Sequence, residues 1–498
     1  MNSALYIGAT GMKGLSQGMQ VTTNNLANVS TIGYKQQGVL FSDLISTSQA
    51  GMGEWWNNQE DSRVALGQTG KGVQVDTVRT IFTQGPLESS NTITDMAING
   101  KGFFQVTDGV NLYYTRAGDF RPDNEGVWRT PSGLALNGYK YNDDGSLGGL
   151  QEVRVDRFGT MPGKATARVD LTMNLNSGKD NAVSEDNPYF SLLNIYDGTA
   201  SKPLSDGSYS YAQGMTLYDA NGNAHTVTAY FDGAPGGVSG SMIEFIIAAG
   251  ASAAGNADEA SAGNGLLMSG VLQFDSSGRL TGMSAFTPTT QGSKDLADWQ
   301  PAALSGGLPQ LTLDGATMAV NFGISAAGGW ENAPASAADV GTDQGKLPSM
   351  GTDAIRAKNA STLYNSSSPT GSYKQDGYGE GILSTVTIGT DGTIAGRYSN
   401  GQDKDLWQIP VCRFTSEDGL HREGGNLFSA TAESGQMDMG VAGTENYGTV
   451  HAYNIEGSNV DMAMEMVNMI ITQRGFQSNS KVVTTADQML QKAMELKR

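Results

Sequence analysis

Side chains that commonly perform chemistry are sparse in this chain and poorly spaced for it. The three histidines, His225, His421 and His451, lie far apart and lack the short spacing of a metal-ligand set. The single cysteine, Cys412, excludes a framework of internal disulfides. Because the surrounding segment 407–414 has the apolar pattern of a strand, we interpret Cys412 as a buried small hydrophobic residue and not as a nucleophile.

Two glycine-containing loops resemble ligand-binding motifs, but each departs from its motif at a required position. In the loop 67–72, Gly72 stands where a phosphate-binding loop needs Ser or Thr, and Ala65 stands where the first glycine belongs. The loop 219–223 alternates oxygen-bearing side chains, yet Tyr230 occupies the position of the final glutamate of a calcium loop. We expect a turn before a strand at the first loop and a hairpin turn at the second. The sequence therefore predicts no catalytic residues, no cofactor site and no metal site.

The composition indicates several turn-rich domains on an acidic chain. The length of 498 residues exceeds one ordinary hydrophobic core, and the 67 glycines favour tight turns over long helices. The net charge of −19 argues against nucleic acid or an anionic membrane surface as a partner. We also expect no membrane insertion, because no segment has the apolar length to span a bilayer. The first ten residues lack the cationic and apolar regions of a general secretory signal peptide.

The elements with the clearest pattern are at the two ends of the chain, where apolar residues repeat with the 3-4 spacing of coiled-coil helices. Stripes this narrow need partner helices, so we expect the two ends to pair with each other and with the ends of neighbouring copies. We define the predicted assembly seam as Leu5, Met12, Leu15, Met19, Leu26, Val29, Val460, Ala463, Val467, Ile470, Val482, Ala486, Met489, Ala493 and Leu496.

The N-terminal helix is predicted to run from a cap at Ser3 to about Val29, and the C-terminal helix to begin at a cap at Ser458 or Asn459. Four glycines within the N-terminal helix, at positions 8, 11, 14 and 18, each cost about 1 kcal/mol of helix propensity relative to alanine. We therefore expect another backbone to approach this helix closely, and the helix to become ordered on assembly.

Between the helices, short strands alternate with turn pairs such as Asp108-Gly109 and Asp391-Gly392. The Ala/Gly/Ser-rich stretches 248–265 and 323–346 are expected to be long loops or subdomain boundaries. The predicted fold is mainly β with helical termini, which form a coiled-coil-like pair. The predicted parts are an N-terminal helix at 1–30, an irregular linker or brace at 31–71, a discontinuous β domain at 72–155 plus 361–453, an inserted outer β domain of one or two subdomains at 156–360, and a C-terminal helix at 454–498.

A segment at the end of the first helix closely resembles the signature of the axial proteins of the bacterial flagellum, which form its rod, hook and hook–filament junction. The segment reads Asn-Asn-Leu-Ala-Asn-Val-Ser-Thr-Ile-Gly-Tyr-Lys over 24–35. We expect Ser30 or Thr31 to cap the helix and Gly33 to reverse the chain. The matching signature residues are Asn24, Asn25, Leu26, Ala27, Asn28, Thr31, Gly33, Tyr34 and Lys35.

Further segments resemble the same family. The stretches 94–106 and 114–120 are similar to its β-domain motif, and 456–461, 466–476 and 484–490 are similar to its C-terminal helix. The resemblance is strong over residues 1 to about 150 and about 375 to 498. Within the family, rod proteins lack a large central insertion, so the length of the insertion favours the hook branch.

The resemblance implies a structural subunit, not an enzyme, that polymerises into a curved tube acting as a flexible universal joint between motor and filament. It implies an extracellular flagellar location, reached by export without a cleaved signal peptide. The implied partners are copies of the chain itself, the distal rod, hook cap and hook–filament junction proteins, and the flagellar type III export apparatus. The alternatives are another axial protein, of the distal rod or the hook–filament junction, or a β-rich surface adhesin.

Overall fold

The computed structural model describes residues 2–44, 47–48, 68–176, 182–234, 241–250, 261–364 and 370–495. The chain forms two compact units. The first contains Met1–Gly159, Leu383–Tyr398 and Gln402–Arg498, and the second contains Thr160–Ile382 and Ser399–Gly401. The first unit is therefore built from both ends of the chain and the second from its middle.

The α-helices in the described residues are α1 (Asn2–Ala27), α2 (Ser191–Ile195) and α3 (Met462–Glu495). α1 begins before Ser3, so Ser3 lies inside the helix and is not its cap. Its last residue is Ala27, after which the backbone turns, so Val29, Ser30 and Thr31 lie beyond the helix. The predicted N-terminal helix is confirmed with these corrected ends.

α3 begins later than predicted because a different residue caps it. Asp461 Oδ1 accepts hydrogen bonds from the backbone N–H groups of Ala463 and Met464, at 2.8 and 3.1 Å. A carboxylate at this position satisfies free N–H groups and interacts favourably with the helix dipole. The predicted caps Ser458 and Asn459 precede the helix by several residues, and the Asn459 side chain bonds to other segments instead.

The first unit contains most of the short strands. The strands that precede the second unit in sequence are β1 (Gln37–Asp43), β2 (Thr47–Ser48), β3 (Gln68–Thr69), β4 (Val73–Thr80), β5 (Leu87–Ser89), β6 (Met96–Asn99), β7 (Phe104–Thr107), β8 (Leu112–Thr115), β9 (Arg121–Pro122), β10 (Trp128–Arg129), β11 (Ala135–Tyr141) and β12 (Leu147–Glu152). The strands that follow it are β28 (Gly381–Ile388), β29 (Thr393–Tyr398), β30 (Asp403–Gln408), β31 (Pro410–Phe414), β32 (His421–Gly424), β33 (Leu427–Ser429), β34 (Met437–Val441), β35 (Thr449–Ala452) and β36 (Asn454–Glu456).

The main sheet of the first unit has the order β28-β29-β30-β11-β7-β8-β33-β32. Strands that precede the second unit in sequence are thus flanked by strands that follow it, which confirms the predicted discontinuous β domain. A core of large side chains lies against this sheet, including Phe104, Trp128, Leu136, Trp407 and Ile409.

A smaller core of the first unit surrounds the cysteine. Cys412 lies on β31 with no exposed surface, packed with Phe103, Phe414 and Phe428. Burial raises the pKa of its thiol to about 12. The interpretation of Cys412 as a buried hydrophobic residue is confirmed, because a thiol that stays protonated at neutral pH is a poor nucleophile.

Part of the segment 31–71 is regular, which corrects the expectation of an irregular linker. β1 pairs antiparallel with β4 along its whole length, with a bulge between Leu40 and Phe41. The alternation of apolar residues in β1 is too weak to predict a strand, and its pairing with β4 supplies the missing hydrogen bonds. Residues 45–46 and 49–67 of the predicted brace, which include Trp55 and Trp56, lie outside the described residues.

The second unit contains two six-stranded sheets and a separate β24–β25 pair. Its strands are β13 (Thr160–Met161), β14 (Arg168–Leu175), β15 (Tyr211–Tyr218), β16 (Ala224–Ala234), β17 (Met242–Ala249), β18 (Leu266–Phe274), β19 (Leu280–Pro288), β20 (Trp299–Pro301), β21 (Leu304–Ser305), β22 (Leu308–Leu313), β23 (Ala316–Asn321), β24 (Ile324–Ser325), β25 (Ile355–Arg356), β26 (Thr362–Leu363) and β27 (Thr370–Gln375). One sheet is the meander β15 to β20, and the other has the order β21-β22-β23-β14-β26 with β27 also on β14.

The meander is buried on both of its faces. Phe231, Phe245 and Phe322 belong to the core shared with the other sheet, whereas Phe190 and Trp299 belong to a separate cluster. Every residue of β17 is buried, which explains its continuous apolar run. Within the described residues the insertion is therefore one compact unit with two cores.

Two expectations about the insertion need correction. The stretch 323–346 is mostly loop, as one alternative predicted, but it is not a subdomain boundary, because Ala337 and Val340 are buried in the second cluster. The insertion also extends beyond residue 360, because β26 and β27 both pair with β14 and so tie the segment 361–382 to the second unit. Most of the other Ala/Gly-rich stretch, 251–260, lies outside the described residues.

Among the helices of the described chain, none combines the length and apolarity needed to cross a membrane.

Candidate assembly site

The two terminal helices pack against each other as an antiparallel pair within one chain. An added Cβ at Gly8 would lie 2.7 Å from Val483 Cγ2, and one at Gly11 would lie 2.9 Å from Asn479 Nδ2. Toward the other end, a Cβ added at Gly475 would lie 3.1 Å from Leu15. The structure therefore shows the close approach that the glycines at positions 8 and 11 indicated.

The other two glycines of α1 face the β1–β4 pair. A Cβ added at Gly14 would lie 3.5 Å from Phe41 and 3.7 Å from Val73, and one at Gly18 would lie 3.4 Å from Phe41. These are ordinary contact distances. α1 thus lies between α3 on one side and the strand pair on another, and only Gly8 and Gly11 lie at contacts too close for a side chain.

The predicted seam residues at the N-terminal end of the chain are all half-buried. They are Leu5, Met12, Leu15, Met19, Leu26 and Val29, the last of which lies beyond α1. Of these residues, Leu15 contacts α3 at Gly475.

The predicted seam on the second helix is placed differently. Val460 and Ala486 are buried, whereas Ala463, Val467, Ile470, Val482, Met489 and Ala493 are exposed, and Leu496 lies outside the described residues. The row that contacts α1 instead includes Gly475, Asn479 and Val483. Because Gly475 is small and Asn479 is polar, this row has no apolar repeat. The apolar repeat in the sequence lies on the adjacent row of the helix.

The exposed row on α3 is an apolar surface in its own right. We name as the outer stripe Met464, Val467, Ile471, Val482 and Met489, which are between 48% and 63% exposed. Their spacing of 3, 4, 11 and 7 residues keeps them along one side of the helix. A groove of about 460 Å³ adjoins the stripe, lined by Ala4, Ser478, Lys481, Val482, Thr485, Ala486 and Met489.

Below the helices, the signature segment forms a buried ionic centre. Lys35 Nζ lies 2.6 Å from Glu456 Oε1, and Arg116 Nε lies 2.8 Å from Glu456 Oε2. The side chains of all three residues are at most 4% exposed. Burial, and then the charge of Arg116, lower the pKa of Lys35. We call these three residues the hub.

Backbone groups complete the coordination of the hub. Lys35 Nζ donates to the Thr83 carbonyl at 2.8 Å, and the Gly85 N–H donates to Glu456 Oε1 at 2.9 Å. Arg116 donates to the carbonyls of Gly102 and Gly100, at 2.7 and 2.9 Å. The hub therefore joins the signature, the β domain and the segment before α3 at one point.

Other signature residues fix the position of the backbone next to the hub. Asn25 accepts from the Gln37 N–H at 2.9 Å and donates to the Gln37 carbonyl at 2.8 Å. Tyr34 donates to Asn25 Oδ1 at 3.2 Å, and the Arg422 guanidinium stacks on the Tyr34 ring. Gly33 has a φ of +68°, as its predicted role in chain reversal requires.

Other signature residues make local contacts at the end of α1. Asn28 Nδ2 donates to Asn24 Oδ1 at 2.8 Å, and Thr31 donates to Asn28 Oδ1 at 3.1 Å. Leu26 is half-buried, and Ala27 is exposed at the end of α1. These residues close the helix end without Ser30, which makes no capping contact among the described residues.

Sequence reasoning did not identify Arg116, Glu456 or Asn459 as partners of the signature. Asn459 accepts from the Gln36 N–H at 2.7 Å and donates to the Ile81 carbonyl at 2.8 Å. These residues lie in segments whose motifs resemble the axial family, but Lys35 and Glu456 are separated by 421 positions. Their occurrence within the motifs is the available signal, because no local spacing connects them.

Four family models match successive parts of this chain. They are "Flagella basal body rod protein" over residues 5–35, "Flagellar hook protein FlgE/F/G D1 domain" over 97–167, "Flagellar basal body protein FlaE D2 domain" over 190–378, and "Flagellar basal body rod FlgEFG protein C-terminal" over 452–496.

Three relatives that match along nearly their full length have the same name. The flagellar hook protein FlgE of Borreliella burgdorferi is 30% identical over 512 residues, and the match covers 100% of both chains. The FlgE proteins of Escherichia coli and Salmonella typhimurium are 28% and 27% identical, with 98% of this chain and of each relative covered. A crystal structure of Helicobacter pylori flagellar hook protein FlgE2 matches 74% of this chain and 100% of its own, with a TM-score of 0.44 and 13% identity.

The sequence matches to the hook relatives run through both terminal helices, the discontinuous β domain and the insertion. Rod-type models match the ends, and the hook relatives extend along the entire chain. The full-length identity to the Borreliella protein shows that this chain belongs to the flagellar hook protein family.

Proposed function

We propose that this hook subunit polymerises head-to-tail into the curved tube of the flagellar hook through its paired terminal helices. The family is structural, and its place is the flagellar axis. The observation that carries the proposal is the outer stripe, a row of apolar side chains that stays about half exposed although α3 already packs on α1. Rows of this kind on soluble proteins mark interaction surfaces.

The energetics of the stripe suit assembly. Burying a half-exposed Val, Ile or Met contributes about 1 kcal/mol, so the five residues of the stripe contribute about 5 kcal/mol per contact before the entropy of association is subtracted. That gain is too small for a tight dimer but is repeated by every subunit of a polymer. An interface between unlike surfaces that does not close on itself produces an open helical assembly.

The hub supports the second half of the proposal, which is transmission of torque. It ties the helices to the β domain through charge-assisted hydrogen bonds in a buried setting. A load applied to the helical layer therefore reaches the β domain through short, directional contacts. Bending is assigned to the polar outer surfaces, whose contacts can slide without separating an apolar interlock.

The further partners are part of the same proposal. By the likeness to hook proteins we assign the distal rod, the hook cap and the hook–filament junction proteins as axial neighbours, and the flagellar type III apparatus as the export route. A chain with one cysteine needs no disulfide to be formed after export.

The test is a charge placed in the outer stripe of the full-length chain. Val467→Asp and Ile471→Asp should each abolish tubes seen by electron microscopy, because a carboxylate would be buried without a partner. Both residues are exposed in the single chain, so the melting temperature of the unassembled protein should change by less than about 2 °C.

The matched control is Gln473→Asp, which adds the same charge about 200° around the helix from Ile471. Gln473 is exposed, and its variant should form tubes at the concentration that the unmodified protein requires. Normal tubes from Ile471→Asp would refute the assignment of the outer stripe to the assembly interface.

A further inference from the structure

Three possible metal ligands converge in the second unit at the ends of two hairpins. Asp219 opens the turn between β15 and β16, and His225 is the second residue of β16. Asp314 lies in the turn between β22 and β23, with a φ of +43°. One ligand atom from each of these residues lies within 4.8 Å of the other two. The fold thus brings together residues that have no metal-ligand spacing in the sequence.

The spacing of the first two ligands is close to that of a metal site. His225 Nε2 lies 2.9 Å from Asp219 Oδ2. Two ligands placed about 2.0–2.1 Å from a tetrahedral Zn²⁺ ion are about 3.3 Å apart, so these two atoms would separate by about 0.4 Å to bind it. The same pair can therefore exchange its hydrogen bond for two bonds to an ion with little movement.

The Asp219 carboxylate is held in one orientation. Its side chain is fully buried, and Oδ1 accepts from the backbone N–H groups of Asn221 and Asn223 at 2.8 Å each. Oδ2 lies 2.9 Å from His225 Nε2 and accepts from Asn223 Nδ2, also at 2.9 Å. The carboxylate is ionised at neutral pH, which is the form that binds metal.

The third ligand adds a charge that the described residues do not balance. Asp314 is exposed, and its carboxylate accepts no hydrogen bond from the described part of the chain. No described Lys or Arg forms an ion pair with Asp219 or Asp314. Two carboxylates at this distance repel each other, and a divalent cation between them would turn that repulsion into attraction.

We propose that Asp219, His225 and Asp314 bind a divalent transition-metal ion of the Zn²⁺ type, which joins the β15–β16 turn to the β22–β23 turn. The two turns belong to the two different sheets of the second unit. The ion is a structural link inside that unit, with water completing its coordination. The site is separate from the terminal helices, so it adds a property that polymerisation does not require.

The ligand set selects among cations. Imidazole is a good ligand for Zn²⁺ and its neighbours in the first transition series, whereas Mg²⁺ and Ca²⁺ require mostly oxygen ligands and more of them. We therefore expect Zn²⁺ and Co²⁺ to bind, and Mg²⁺ and Ca²⁺ to bind at least 100-fold more weakly.

The experiment is a titration of the full-length, chelator-treated protein with ZnCl₂ in an isothermal calorimeter. The unmodified chain should bind one ion per subunit. Asp314→Asn and His225→Gln should each weaken binding at least tenfold, because each removes one ligand. Asp314→Asn keeps the fold, since asparagine also tolerates a positive φ. Its melting temperature without metal should equal that of the unmodified protein.

A control and a second readout make the outcome decisive. His421→Gln removes an exposed histidine of the first unit and should leave the titration unchanged. Saturating Zn²⁺ should raise the melting temperature of the unmodified second unit by about 5 °C and that of Asp314→Asn by less than about 1 °C. Binding that survives in both ligand variants, or the absence of binding in the unmodified chain, would overturn the proposal.

Discussion

Glu456 is the anion on which two buried cations depend. Lys35 and Arg116 both contact its carboxylate, and the three side chains carry a net charge of +1 in a region that is at most 4% exposed. Removing the anion would leave two unpaired cations. Removing Lys35 would leave a neutral pair of Arg116 and Glu456. The charge balance of the hub, and not the number of its contacts, decides which substitution costs more.

Glu456→Gln should therefore destabilise the first unit by about 3–5 kcal/mol, whereas Lys35→Met should cost less than about 2 kcal/mol. The lowered pKa of Lys35 also supports a small cost for Lys35→Met, because burial already disfavours the charged form of the lysine. Urea denaturation followed by circular dichroism gives both values.

Lys404→Met is the matched control for the lysine. It breaks a pair with Asp143, whose side chain is 98% exposed, and should cost less than about 0.5 kcal/mol. If Lys35→Met proved as costly as Glu456→Gln, packing and not charge would account for the hub.

Cys412 provides a pH dependence with a definite sign. The pKa of the buried thiol is about 12 against 9.0 when unperturbed. The unfolded chain thus releases this proton first, and stability falls as the pH rises from 9 toward 12. Between pH 8 and 10 the unmodified protein should lose about 1.4 kcal/mol more than Cys412→Ala does.

Denaturation curves of both proteins at the two pH values measure this difference. The alanine variant has a constant cavity cost at both values, so the cost cancels. Equal losses for the two proteins would mean that the thiol is not shielded from water.

At the scale of elements, α1 contains two kinds of glycine. Gly8 faces Val483 at a distance that leaves no room for a methyl group, whereas Gly14 faces Phe41 at an ordinary contact distance. Helix propensity favours alanine at both positions by about 1 kcal/mol. Of these two positions, only Gly8 has close packing that opposes the gain in helix propensity.

Gly14→Ala should consequently stabilise α1 by up to about 1 kcal/mol, and Gly8→Ala should destabilise the helical pair by about 1–3 kcal/mol. Hydrogen exchange of the α1 amides in the unassembled protein resolves the two effects. A gain in protection for Gly8→Ala would show that the two helices can separate without cost.

At the scale of the molecule, the second unit is inserted between residues that touch. The Leu383 N–H donates to the Gly159 carbonyl at 3.1 Å. A short linker between these two residues can therefore replace the segment 160–382 without stretching the first unit. The terminal helices and the hub remain intact in such a variant.

We predict that the chain with this excision still assembles into tubes, which should be straighter than those of the full-length protein. In the proposed assembly the terminal helices supply the contacts between subunits, and the second unit modifies the curvature of the tube. Electron microscopy measures both properties. The same linker inserted at the exposed Asp144-Gly145 turn of the full-length chain is the control. A folded excision variant that forms no tubes would show that the second unit carries essential contacts.

Patterns in the amino-acid sequence are enough to predict the order of the parts and the family. The 3-4 repeats predicted two terminal helices, the turn pairs predicted β structure between them, and the signature at 24–35 identified the axial proteins. These signals are local, because helix and turn formation depend on residues a few positions apart. The family model matches and the hook relatives confirm the resemblance.

Tertiary structure decided which surfaces meet. Glycines on α1 admit Asn479 and Val483 at close range, so the more apolar row of α3, with Val467 and Met489, is left outside. β1 is a strand because β4 pairs with it, and the hub forms because folding brings residues 421 positions apart into one buried place. These pairings depend on packing and desolvation between segments that are distant in the sequence. The energy of a buried contact depends on the partner residue, and the local sequence does not specify that partner.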